Sequence, residues 1–151
     1  MTCNMWEWIF LHGVGELAEI EGRFNSEKYI ELLEVFLLSV WSYALLFPET
    51  MVFMQDNCPV HTSRAVKRWF RDQNHLEILP WSSKACNLNP IENVWANIVN
   101  VWETANERTS EQLIEHAKRE WEVMRRNTEL IYKHVASVTE RLRGVIENNC
   151  G

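Results

Sequence analysis

The sequence lacks the features that would place it in a membrane or outside the cell. It has no run of roughly 18 or more apolar residues, which a membrane-spanning helix requires. The first 15 residues carry no basic leader and include Glu7 in their most apolar part, so they indicate neither a signal peptide nor a membrane anchor. Four cysteines, Cys3, Cys58, Cys86 and Cys150, show no paired framework, as is typical of free thiols in a reducing compartment. We therefore expect an intracellular protein with no membrane partner.

Positive charge is also scarce. The formal net charge is −6, whereas binding to nucleic-acid phosphates normally depends on clustered Lys and Arg. A basic DNA-reading domain is therefore not expected within this chain. The charge is still compatible with a catalytic domain whose carboxylates need divalent cations before they can approach phosphate.

What is present predicts a folded α/β protein. The 151 residues are 46% apolar and include eight tryptophans, which is enough for one domain with a sizeable core. Alternating apolar residues around Gly13-Val14-Gly15 predict a β-hairpin within residues 1–24. Asn25-Ser26 can cap a helix over residues 25–47, whose apolar residues recur at intervals of three and four and should cover one face of a sheet.

Residues 51–102 alternate between strand and helix patterns. Met51–Met54 is apolar on both faces, as expected of a buried strand, and Asp56 lies at its C-terminal end. A helix begins near Thr62, and Leu76–Leu79 is a further strand. Strand, helix and strand within about 30 residues predict a parallel βαβ unit, and ligands bind beyond the carboxyl ends of such strands.

The helix that begins near Thr62 has two distinct faces. Its predicted apolar stripe consists of Ala65, Val66, Trp69 and Phe70. Its opposite side, the basic face, consists of Arg64, Lys67, Arg68 and Arg71. This is the most basic stretch of the chain, and it is either a solvated surface or a contact for the DNA backbone.

A third helix should begin at Asn89-Pro90, because Asn suits the N-cap and Pro the first helical position. Glu92 then falls in the first turn, about 80° from the centre of the apolar stripe, at the rim of the packed face. Residues 103–151 are predicted to be helical from Ser110 onward.

Three segments carry a family resemblance: Gln55-Asp56-Asn57 with Pro59, His61-Thr62-Ser63, and Leu88-Asn89-Pro90-Ile91-Glu92-Asn93-Val94-Trp95. Together they resemble the catalytic domain of mariner-like DDE transposases, and the resemblance spans nearly the whole chain. It implies a ribonuclease H-like α/β fold, a mixed sheet flanked by helices, in which three carboxylates hold two Mg²⁺ or Mn²⁺ ions that cut and rejoin transposon ends.

The resemblance also assigns roles. Asp56 and Glu92, which 35 residues separate, match the second and third carboxylates and are the expected catalytic metal ligands. Asn57, His61 and Asn89 are supporting residues. The implied partner is DNA, as transposon ends and target, with a homodimer and a location in the nucleus as further expectations.

One part of the family pattern is missing. The family's first strand carries a carboxylate that bridges both metal ions, and this chain begins after that strand. Residues 1–151 are therefore interpreted as a single, N-terminally truncated domain. Neither Glu7 nor Glu19 is a convincing replacement, because both belong to the hairpin strands. We expect no transposase activity from the chain alone; nicking of transposon-end DNA that Asp56→Asn abolishes would contradict this.

Simpler interpretations remain open for these residues. Asn89 followed by Glu92 fits a capping box, and Asp56-Asn57 ahead of a proline is ordinarily a turn. His61 fits a local hydrogen-bonding role. Cys58 and His61 have the spacing of metal ligands, but no second pair lies nearby to complete a zinc site.

Three classes of function follow. The first is the catalytic part of a transposase. The second is a non-catalytic derivative that keeps the fold and acts as a nucleic-acid-binding or protein-interaction module, in which Asp56 and Glu92 could be replaced without loss of function. The third is a protein unrelated to DNA, which the acidic charge favours. The pattern from Asp56 to Trp95 favours the first class.

Overall fold

The computed structural model describes residues 4–44, 51–79, 89–102 and 109–147, with side chains except those of residues 41–44 and 139–147. The chain forms two compact units. The hairpin unit combines Met1–Glu19 with Asn87–Gly151, and the βαβ unit is Ile20–Cys86. A single domain over residues 1–151 stays a prediction, and each unit is described by itself.

The order of elements is the mixed strand and helix order that the sequence predicts. The elements are β1 (Met5–Phe10), β2 (Gly13–Glu19), α1 (Ser26–Ala44), β3 (Met51–Phe53), α2 (Arg64–Arg71), β4 (Leu76–Ile78), α3 (Pro90–Asn100), α4 (Ser110–Arg126) and α5 (Thr128–Glu147). Residues 45–50, 80–88 and 103–108 lie outside the described residues. Among the described helices, none is both long and apolar enough to cross a membrane.

The βαβ unit confirms the predicted parallel pair. β3 and β4 run parallel with Met51 opposite Leu76, and α2 connects them. The cap of α1 is also confirmed, since Asn25 Oδ1 accepts a hydrogen bond of 2.9 Å from the Lys28 N–H. The buried apolar residues of this unit are Tyr29, Leu33, Phe36, Val40, Val66, Phe70 and Leu76.

Two burial predictions in this unit are wrong. Val52 was expected to be buried, yet it is 62% exposed. The ring of Phe53 lies 5.2 Å from that of Phe36 in α1 and 5.4 Å from that of Phe70 in α2. Both helices therefore meet the face to which Phe53 points, and Val52 points to the opposite face because strand side chains alternate. Ala65 is likewise exposed rather than part of the apolar stripe of α2.

The hairpin unit is built around a cluster of buried residues from the hairpin and the last three helices. These are Val14, Val94, Ile98, Ala117, Trp121, Met124 and Ile131. Val94 and Ile98 are two of them, so the apolar stripe predicted for the third helix faces this cluster. His116 is also buried, and its Nε2–H donates to the Ile98 carbonyl at 2.7 Å while its ring stacks on Trp102.

A bulge in the hairpin fixes how the hairpin meets α4. The antiparallel register shifts between Glu7 and Ile9, which leaves Gly15 in an irregular part of the ladder. The Gly15 carbonyl instead accepts hydrogen bonds from Trp121 Nε1 at 2.8 Å and from Arg125 Nη2 at 3.0 Å. The bulge thereby joins the hairpin to α4 through one backbone group.

Replacing Gly15 with Ala should destabilise the protein. A Cβ at this position would overlap the ring of Trp8, which is itself buried, so the hairpin or the ring has to shift. Overpacking of this kind typically costs about 1–3 kcal/mol. Thermal and urea unfolding measure the loss, with Glu16→Ala at the next, exposed position as the matched control. Equal stability of the two variants would contradict the close approach of Gly15 to Trp8.

Candidate metal centre

The loop between β3 and α2 is organised by hydrogen bonds within a few residues. Asp56 Oδ1 accepts from the Cys58 N–H at 2.9 Å, which forms the turn expected of an Asp in this position. The Thr62 N–H donates to the Cys58 carbonyl at 3.0 Å. Ser63 then caps α2 by accepting from the Val66 N–H at 3.3 Å. The simple interpretation of Asp56 as a turn residue is therefore correct as far as Oδ1 is concerned.

His61 makes the second contact to the same oxygen. Its Nδ1 lies 2.6 Å from Asp56 Oδ1, and the Asp56 side chain is 58% exposed whereas that of His61 is 15% exposed. Because a carboxylate oxygen accepts, His61 Nδ1 carries a proton and donates it. His61 Nε2 is buried and has no hydrogen-bond partner among the described residues. A mostly buried imidazole thus holds an exposed carboxylate.

Aromatic and amide groups hold His61 in turn. The Tyr29 hydroxyl donates to Gln55 Oε1 at 2.6 Å, and Gln55 Nε2 donates to the His61 carbonyl at 3.3 Å. The rings of Tyr29 and His61 lie 4.2 Å apart, and Phe24 meets His61 edge-on at 6.0 Å. Burial raises the pKa of Tyr29, and the charges of Asp56 and Cys58 add to this effect. The hydroxyl therefore stays protonated and donates.

A small pocket opens beside this network at the carboxyl ends of β3 and β4. Its volume is about 160 Å³, which is smaller than the roughly 300–1,000 Å³ of sites that enclose an organic ligand. Its lining residues are Gln55, Asn57, His61, Thr62, Lys67, Phe70, Ile78 and Leu79. Asn57 itself is exposed, and its supporting role stays a prediction.

The basic face of α2 is exposed at all four of its residues. Arg68 and Arg71 stand in the last turn of the helix, where cations interact favourably with the helix dipole. Lys67 also lines the pocket beside Asn57. A solvated helix surface and a DNA contact are both compatible with this placement.

Glu92 and Asn89 lie at the start of α3, in the hairpin unit. Asn89 Oδ1 accepts from the Ile91 N–H at 3.3 Å, and Pro90 is the first helical residue, so the predicted helix start is confirmed. Glu92 is exposed in the first turn. The structure thus gives Asn89 a capping role, and its supporting role in a metal site stays a prediction.

Glu7 is a half-buried acid of the hairpin unit, which the sequence analysis rejected as a replacement for the missing carboxylate. Trp95 Nε1 donates to Glu7 Oε1 at 2.6 Å, and Oε2 is buried without a hydrogen-bond partner among the described residues. Burial raises the pKa of Glu7 to about 7, the bond from Trp95 opposes this rise, and the negative charge of Glu92 adds to it. Glu7 therefore lies close enough to Glu92 for the two charges to interact.

Asp56 and Glu92 fit the ligands that Mg²⁺ and Mn²⁺ prefer, since both are exposed carboxylates at the start or end of regular elements. They belong to different units. Within the βαβ unit, Asp56, Cys58 and His61 also form a group whose potential ligand atoms all lie within 4.8 Å of one another. The sequence did not identify Tyr29, Gln55 and Glu7 as residues that contact the candidate ligands or their neighbours. Of the three, only Gln55 could have been suspected, because it lies beside Asp56 in the sequence.

Replacing Glu7 with Gln should remove part of the pH dependence of folding. The pKa of Glu7 is about 7 in the folded protein and 4.5 ordinarily, so the folded state binds more protons between these values and stability falls as pH rises through this window. Above about pH 7 the ionised carboxylate costs up to about 3 kcal/mol. Urea unfolding from about pH 4 to about pH 8 measures the effect. Gln is chosen because its side-chain oxygen can still accept the hydrogen bond from Trp95.

The matched control is Glu16→Gln, an exposed acid on β2. The control should follow the wild-type profile, whereas Glu7→Gln should be more stable than wild type at about pH 8. Parallel profiles for the wild type and Glu7→Gln would show that burial of this carboxyl does not affect stability.

Comparisons with known proteins identify the family and the fold of the chain. Residues 1–114 match the family described as DDE superfamily endonuclease. The Tcb1 transposase of Caenorhabditis briggsae is 38% identical over 85 residues, which cover 56% of this chain and 30% of that protein. The Tc1 transposase of Caenorhabditis elegans is 26% identical over 145 residues, or 96% of this chain and 51% of that protein. The chain thus spans about half the length of the Tc1 transposase.

Solved structures show the fold. The Mos1 transposase catalytic domain with raltegravir and Mg matches with a TM-score of 0.79 at 18% identity, covering 92% of this chain and 71% of that chain. The Mos1 mariner paired end complex with Mn matches with a TM-score of 0.80 at 18% identity, covering 94% of this chain and 42% of that chain. The ribonuclease H-like fold that the sequence predicted is therefore confirmed. The chain therefore belongs to the DDE superfamily endonuclease family.

Proposed function

We propose that this chain takes part in metal-dependent cleavage and strand transfer of DNA, with Asp56 and Glu92 as ligands of Mg²⁺ or Mn²⁺. The arrangement of Asp56 is the observation that supports this most. An ordinary surface turn needs only the bond from the Cys58 N–H. Asp56 is in addition fixed by His61, whose ring rests on the buried Tyr29. Such fixation is what a metal ligand requires in order to hold its geometry.

The chain's own side chains would orient the ligands. His61 holds Asp56 through Oδ1, and the exposed carboxylate keeps its second oxygen for a cation. Glu92 projects from the first turn of α3, where Asn89 fixes the helix start. When bound, two such ions activate the attacking water or 3′-hydroxyl and stabilise the leaving oxygen. Because the chain spans about half of the Tc1 transposase, we propose the complete reaction for the whole catalytic domain rather than for this chain alone.

DNA as the partner is supported by the structures that the chain resembles. Mos1 transposase has been solved in a paired-end complex with the left transposon end and in a strand transfer complex. By analogy we propose transposon ends and target DNA as substrates, two copies of the protein in the active assembly, and the nucleus as the compartment. The basic face of α2 is the surface of the described residues that we assign to the DNA backbone.

Mn²⁺ should stabilise the chain through both carboxylates. A site saturated about 100-fold above its dissociation constant stabilises by about 2.7 kcal/mol, which is a shift in Tm of about 5–10 °C for a domain of this size. Thermal unfolding with and without Mn²⁺ measures this, and Asp56→Asn and Glu92→Gln should each remove the shift.

The matched controls are Asp72→Asn, an exposed acid that follows α2, and Glu111→Gln, an exposed acid in the first turn of α4 as Glu92 is in α3. Both should keep the shift. A cooperatively folded chain with no shift, or a shift that the controls lose equally, would contradict the metal site and favour the non-catalytic derivative.

Binding of duplex DNA should depend on the basic face. Each Lys or Arg that neutralises a phosphate contributes about 0.9 to the slope of log K against log salt, so Arg64→Gln and Arg68→Gln should each reduce the slope by about that amount. Fluorescence anisotropy of a labelled duplex across a series of salt concentrations gives the slope. Lys133→Gln is the control, because Lys133 is already paired with Glu129 at 2.9 Å. Unchanged slopes in both arginine variants would show that α2 does not contact DNA.

A further inference from the structure

The loop that holds Asp56 contains a second set of metal-ligand atoms. Asp56, Cys58 and His61 each offer one ligand atom, and the three atoms lie within 4.8 Å of one another. Cys58 is a free, half-buried thiol. The sequence offered Cys58 and His61 as an incomplete pair, and the fold adds the Asp56 carboxylate as the third ligand. The three residues lie within six positions of one loop in the βαβ unit.

The chemistry of this set differs from that of a Mg²⁺ site. Thiolate and imidazole are preferred by Zn²⁺, whereas Mg²⁺ and Mn²⁺ prefer oxygen ligands. Zn²⁺ bonds of about 2.0–2.3 Å in tetrahedral geometry place neighbouring ligand atoms roughly 3.3–3.6 Å apart. Asp56 Oδ1 and His61 Nδ1 are now 2.6 Å apart, so they would separate by about 1 Å to admit the ion. A surface turn can accommodate a change of that size.

We propose that Asp56, Cys58 and His61 form a Zn²⁺ site that competes with Mg²⁺ or Mn²⁺ for the Asp56 carboxylate. The zinc site itself stands on the loop geometry, and only the competition rests on the proposed function of Asp56. Zn²⁺ takes the thiolate form of Cys58, and the thiol proton passes to solvent. Three protein ligands leave the fourth position to water, as in open rather than structural zinc sites.

Two costs limit the affinity of this site. The ion has to replace the hydrogen bond between His61 and Asp56. Coordination through Nδ1 also moves the ring proton to Nε2, which is buried beside Tyr29 and Phe24. Zinc ligands normally donate their second ring N–H to an acceptor, and loss of such a contact weakens binding about 10- to 100-fold. The site should therefore exchange its metal ion readily. Zn²⁺ bound there would block the use of Asp56 by Mg²⁺ or Mn²⁺, and the fold would not depend on it.

Co²⁺ is the probe for this site, because it takes the place of Zn²⁺ and gives a near-ultraviolet charge-transfer band when a thiolate binds it. The experiment uses a variant with the substitutions Cys3→Ser, Cys86→Ser and Cys150→Ser, in which Cys58 is the one remaining thiol. We expect a band that saturates at one equivalent of Co²⁺ and that Zn²⁺ removes. Cys58→Ser should abolish the band, and Asp56→Asn or His61→Ala should weaken Co²⁺ binding at least about tenfold.

Glu92→Gln is the matched control and should keep the band, since Glu92 is not a ligand of this site. If the triple-serine protein does not fold, the difference in absorbance between the wild type and Cys58→Ser gives the same reading. Absence of the band from a folded protein, or a band that Asp56→Asn and His61→Ala leave unchanged, would overturn the proposal.

The Mn²⁺ shift in Tm, measured on the same protein, separates this proposal from the proposed function. A Mn²⁺ shift without a Co²⁺ band would overturn the zinc site alone. A Co²⁺ band without a Mn²⁺ shift would support the zinc site and overturn the proposed Mn²⁺ site. When both are present, Zn²⁺ should suppress the Mn²⁺ shift, and an undiminished shift would overturn the competition.

Discussion

The contact between His61 and Asp56 is the interaction on which the candidate site depends. It joins an exposed carboxylate to a ring that is mostly buried. The ring in turn rests on Tyr29, which is only 1% exposed and belongs to the core of the βαβ unit. The position of Asp56 is therefore set by the packing of α1, through Tyr29 and Gln55. Substitutions in this core can therefore shift Asp56 even when no metal ligand is replaced.

One carboxylate oxygen makes two hydrogen bonds in this loop. Asp56 Oδ1 closes the turn with the Cys58 N–H and accepts from His61. A hard cation can use the remaining oxygen and leave this arrangement intact, because Mg²⁺ keeps several waters and needs few protein ligands. A softer ion that takes His61 and the Cys58 thiolate has to break it. The same loop therefore has different reorganisation costs for the two classes of ion.

Local physics explains why much of the fold could be predicted. Capping residues such as Asn25, Ser63 and Asn89 act within three residues of their own position, and so do the apolar repeats that mark each helix. The exposure of Val52 could not be predicted, because an apolar run does not show which face a helix will cover. The contact of Tyr29 with Gln55 spans 26 residues and that of Glu7 with Trp95 spans 88. Asp56 and Glu92 were identified through the motifs, whereas their neighbours depend on these distant contacts.

Net charge is a poor guide to whether this chain can bind the proposed DNA partner, because electrostatic interactions in salt solution are local. At physiological ionic strength, exposed charges are screened over about 8 Å. The eight residues of α2 extend over roughly 12 Å, so its basic face presents a positive field over a length comparable to the screening distance. A phosphate near this face experiences those four cations more strongly than the formal charge of −6. Burial reduces the acidity further, since Glu7 is about half protonated near pH 7. An acidic net charge is therefore compatible with the proposed DNA substrate.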